Sequence, residues 1–83
     1  MKEEIKLRPE VQWFVEMMEL VLRENDYKDG WAGRSLDNLL WRLCGKYEEL
    51  ESAIRRDFEI TRKAVHVANF AMMIADRCGE EEV

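Results

Sequence analysis

From Lys63 to Ala75 the chain reads Lys-Ala-Val-His-Val-Ala-Asn-Phe-Ala-Met-Met-Ile-Ala, apolar on nearly every side of the helix it would form. Ile60, Ala64, Val67, Ala68, Ala71, Ile74 and Ala75 make one apolar face, and Val65, Phe70, Met72 and Met73 add a second. A helix with two apolar faces must be covered on both, so this segment predicts the middle helix of a bundle. Gly79 supplies its C-terminal stop.

The rest of the chain supplies two more helices. Pro9 suits a first helical turn. Val11, Phe14, Met17, Met18, Val21 and Leu22 then recur at helical spacing, which predicts a helix from Pro9 to Glu24. Asn25 to Gly33 is turn chemistry holding Tyr27 and Trp31. Ser35 is a good N-cap for the next helix. Leu36, Leu39, Leu40, Leu43, Tyr47, Leu50 and Ile54 continue it at steps of three and four, to an end near Arg55-Arg56. Asp57 is placed to cap the last helix. So short a connection makes the second and third helices antiparallel neighbours. The fold class is all-α with three main helices, and nothing reads as a strand. Gly45, inside the second helix, costs about 1 kcal/mol against Ala. It either permits close helix approach or is unexplained.

An 83-residue chain is one small domain, residues 1–83, with a charged lead-in at 1–8 and an acidic tail at 79–83. A core of that size is marginal, yet 47% of the residues are hydrophobic. Two apolar faces on one helix exceed what two partner helices can cover, so at least a homodimer is expected. The net charge of −5 offers no basic footprint for nucleic acid. Residues 1–8 show no secretory pattern and no segment is long and apolar enough to span a membrane, so the cytoplasm is the expected location. Cys44 and Cys78 have neither disulfide nor zinc spacing, and Cys44 reads as a core thiol. Trp13, Trp31 and Trp41 read as packing residues, although Trp31 lies in a loop beside Tyr27 and Lys28, where its face can stack on a planar ligand.

Two polar stripes interrupt this apolar plan. Lys46 and Glu49 lie on the second helix, and Lys63, His66 and Asn69 on the third, each at i, i+3 spacing. Counted from the turn near Arg56, the two sets reach similar heights, so they can face each other. Glu49 is the one carboxylate placed to neutralise Lys46, Lys63 or a protonated His66. A hydrogen-bonded ion network, a ligand site and a metal site remain open for this set. The metal site is the poorest match, because hard cations want several oxygen ligands. His66 has no Ser or Asp partner with which a triad could be built.

With the stripes placed, the chain resembles the small MazG-like, all-α nucleoside triphosphate pyrophosphohydrolases over about Glu10 to Arg77. The resemblance rests on Glu10-Val11-Gln12-Trp13-Phe14, Glu16-Met17-Met18-Glu19-Leu20, Asn25-Asp26-Tyr27-Lys28-Asp29-Gly30-Trp31, Glu48-Glu49-Leu50-Glu51 and the run from Ala64 to Asp76. It implies a Glu-Glu-x-x-Glu element on the second helix and a Glu-x-x-Asp element on the third. Their carboxylates would hold magnesium or manganese on a triphosphate, and a metal-activated water would split the α–β bond. Here the Glu-Glu pair falls on Gly45 and Lys46, the third Glu is kept as Glu49, and the last pair falls on Lys63 and His66. The quartet Lys46, Glu49, Lys63 and His66 thus carries +1 with His66 neutral, where the family pattern carries −4. Such a cluster repels a divalent cation, so no cofactor is expected, and Mg²⁺ only if the family activity survives.

The expected function is an oligomeric structural or interaction module that has lost metal-dependent hydrolysis, because one Glu between two Lys residues is a self-sufficient network. The alternative is metal-independent binding of a nucleotide or other phosphorylated ligand by Lys28, Trp31, Lys46, Glu49, Lys63, His66 and Asn69. An active pyrophosphohydrolase is the third reading. The expected partner is a second copy of the chain, with no nucleic acid and no membrane.

Overall fold

A computed structural model describes residues 4–25 and 30–79. Three helices and no strand occur among them: α1 (Pro9–Glu24), α2 (Leu36–Arg56) and α3 (Ile60–Cys78). Each starts and stops where local chemistry dictates. Pro9 opens α1 at a position whose N–H needs no partner. Ser35 caps α2, its Oγ accepting from the Asn38 N–H at 3.0 Å. Gly79 ends α3 in the left-handed region, at φ 80°.

The turn between α2 and α3 departs from expectation. Asp57 does not cap α3; it closes α2. It adopts φ 55°, and the amides of Asp57 and Phe58 donate back to the Ile54 and Ala53 carbonyls at 3.2 and 3.1 Å. This paired closure needs a left-handed residue just past the helix. Glu59, also left-handed at φ 58°, then precedes α3 and makes no side-chain cap. The reversal makes α2 and α3 an antiparallel pair. Its far end is pinned by the Trp31 indole donating to Asp76 at 2.9 Å and the Arg77 guanidinium donating to the Arg34 carbonyl at 3.0 Å.

The middle position expected for α3 is observed. It packs against α2 along its length and against α1 on its other side, while α1 and α2 make no close backbone approach. Asn69 Nδ2 on α3 donates to the Met18 carbonyl of α1 at 3.3 Å, and Arg62 on α3 pairs with Glu24 of α1 at 2.7 Å. Two flanking helices that do not meet leave a cleft floored by α3.

The core of this arrangement is thin. Among the described residues only Val21, Leu39, Ala53 and Val65 are buried apolar side chains. The seven-residue apolar line of α2 is covered at Leu39 and half covered at Leu43 and Leu50. Leu36, Leu40, Tyr47 and Ile54 remain exposed, since only α3 is there to cover them. Three packing expectations fail for the same reason: Trp41 is 72% exposed, Trp13 lies on the surface, and Cys44 is an exposed thiol rather than a core one. The accessible surface is 6908 Å², against about 5,200 Å² for a folded monomer of this mass. The radius of gyration is 14.0 Å, where a compact chain of this length gives about 12 Å.

Candidate functional site

The α2–α3 turn sets the register that brings the two stripes together. Glu49 Oε1 stands 3.7 Å from Lys46 Nζ on its own helix and 3.4 Å from Lys63 Nζ across the hairpin. One carboxylate oxygen thus serves two ammonium groups. The network is half-solvated: the Glu49 side chain is 45% exposed, against 29% for Lys46 and 21% for Lys63. Screened pairs of this length contribute little to stability.

His66 lies one turn from Lys63 on α3 and is half-buried, with Nδ1 enclosed and unpartnered among the described residues. Burial lowers its pKa first; the charges of Lys46, Arg62 and Lys63 lower it further, and only Glu49 opposes them.

Asn69 does not join the Glu49 network. It is 3% exposed and turns toward α1, where Nδ2 meets Met18 while Oδ1 has no partner among the described residues. Lys28 lies outside the described residues. Trp31 is half-buried at the end of the hairpin, its indole N–H held by Asp76. The predicted residues thus divide into a solvated network of Lys46, Glu49 and Lys63 beside His66, and a second group around Trp31 and Asn69.

That second group lines the cleft between α1 and α2. Its volume is about 540 Å³, within the range of small-molecule sites. Lys46 reaches it from α2, and Arg34 and Arg42 join, two residues that sequence reasoning missed. The available signal was the pair Arg42 and Lys46 at i, i+4, with no carboxylate three or four residues from Arg42. Among the described residues no three His, Cys, Asp or Glu side chains gather as a metal-binding group. The donors present do not fit a divalent cation, since Glu49 offers one carboxylate already shared by two ammonium groups.

No family profile, curated protein or solved structure matches the chain.

Proposed function

We propose that this chain is a self-associating helical module on the MazG-like plan, in which metal-dependent hydrolysis has been lost. The observation that carries the reading is the uncovered stripe of α2. Leu40, Tyr47 and Ile54 are exposed at seven-residue intervals, alternating with the half-covered Leu43 and Leu50. This is the spacing of a seam between helices. A second copy is the proposed cover, since a two-fold axis would set the same apolar stripe against itself. The loss of hydrolysis rests on the donor set, with Lys46 and Lys63 where the resemblance implies carboxylates.

Sedimentation equilibrium tests the assembly. A dimer or larger species is expected at about 10 μM, and Tyr47→Glu with Ile54→Glu should give a folded monomer. A monomeric parent chain would overturn the reading. Pyrophosphate release from nucleoside triphosphates with Mg²⁺ should be undetectable; release abolished by Glu49→Gln would show that hydrolysis survives.

A further inference from the structure

The cleft between α1 and α2 combines features that the Glu49 network does not use. Its described lining includes three cationic side chains, Arg34, Arg42 and Lys46, and no carboxylate. Their charges are largely unspent. Arg42 makes no ion pair or hydrogen bond among the described residues. Arg34 donates one bond to Asn38 Oδ1 at 3.0 Å, leaving most of its five donors. Among the described residues Lys46 has only the 3.7 Å approach to Glu49. Like charges at i, i+4 oppose each other on a helix, so Arg42 and Lys46 carry a cost that an anion between them would remove. The apolar part of the wall includes Trp31 and Phe70. Asn69 closes the floor, with its Oδ1 enclosed and unpartnered among the described residues.

We infer that this cleft is a metal-free oxyanion site that takes a small organic phosphate, with Arg34, Arg42 and Lys46 on the phosphate and the Trp31–Phe70 wall on an apolar body. Arginine forks and a lysine point charge are direct phosphate partners and require no bridging cation. Lys63, Glu49 and His66 do not line this cleft. The site shares Lys46 with the positions where the family resemblance implies metal ligands, and draws Arg34, Arg42, Trp31 and Phe70 from outside them.

Calorimetric titration of the full chain with inorganic phosphate and with phenyl phosphate, in EDTA at constant ionic strength, tests the assignment. Saturable binding of one phosphate per chain is expected, with phenyl phosphate about tenfold tighter. Arg42→Gln and Lys46→Met should each weaken it by about tenfold, both being surface-accessible changes that keep the helix. Arg55→Gln removes the same charge outside the cleft and should leave it unchanged. Absence of saturation by about 10 mM of either probe would overturn the site. So would indifference to both cleft variants, or an equal loss in Arg55→Gln, which would mark general charge attraction. Equal affinity for the two probes would overturn the apolar part of the assignment.

Discussion

Lys63 Nζ lies 3.4 Å from Glu49 Oε1, and that contact, the one ion pair between α2 and α3 among the described residues, is open to water on the glutamate side. It carries a definite expectation for stability. A fully buried carboxylate between two lysines would cost several kcal/mol to remove. With Glu49 nearly half exposed, Glu49→Gln should cost less than about 1 kcal/mol in urea unfolding. A loss of about 3 kcal/mol would show that the network is desolvated in solution.

Gly45 has open space around its Cβ position, with nothing within 4 Å. The close-approach explanation therefore finds no support within one chain. Gly45→Ala should stabilise α2 by about 1 kcal/mol, read as a higher urea midpoint with an unchanged slope. Destabilisation or loss of assembly would place a neighbouring copy against this position.

Asp57 bears a side chain where the α2 closure requires positive φ. Asp57→Gly should raise stability by a few tenths to about 1 kcal/mol. Asp57→Val should lower it by more than that, since a β-branched residue tolerates this region poorly. Equal effects of the two changes in thermal melts would contradict the assigned turn.

Two pH windows should separate. The His66 pKa is depressed by burial and by Lys46, Arg62 and Lys63, so the unfolded chain takes up its proton first. Stability is then full above the ordinary histidine value of about 6.5 and falls as pH drops from there toward the folded pKa. His66→Gln should remove this slope. Glu24 is also depressed, first by the hydrogen bond from Arg62 and then by its charge. Its contribution is present above the ordinary glutamate range near 4.5 and disappears as pH falls through the lower folded value. Arg62→Gln should remove most of the acidic window, where Arg62 is the main cause, and only weaken the upper one, where burial comes first; a change confined to the upper window would reverse the assignment.

Much of the helical plan was legible because it is written in local chemistry. Pro9, Ser35 and Gly79 act through their own backbone neighbours, and the two apolar faces of α3 demand flanking partners whatever their identity. Asp57 was misassigned because an acidic residue after Arg56 suits either a helix start or a left-handed closure, and only the chain reversal decides. Leu40, Tyr47 and Trp41 show a different limit. Periodicity states which residues share a face, but not whether the same chain covers it. For the candidate site, the Glu49–Lys63 pairing followed from helix spacing and turn position. Arg34 and Arg42 did not, because a loop arginine and a surface arginine look solvated until α1 stands opposite them.

The separation of α1 from α2 makes the cleft itself conditional. Among the described residues α1 and α2 meet only through α3, so docking of α1 is separable from closure of the α2–α3 hairpin. The space beside Trp31 and Arg42 exists only while α1 lies on α3, so its occupancy and α1 docking are linked quantities. An occupant touching both walls would stabilise the docked state and slow amide exchange along Pro9–Glu24, a segment it contacts at only one end, and any undocked fraction would weaken its apparent affinity.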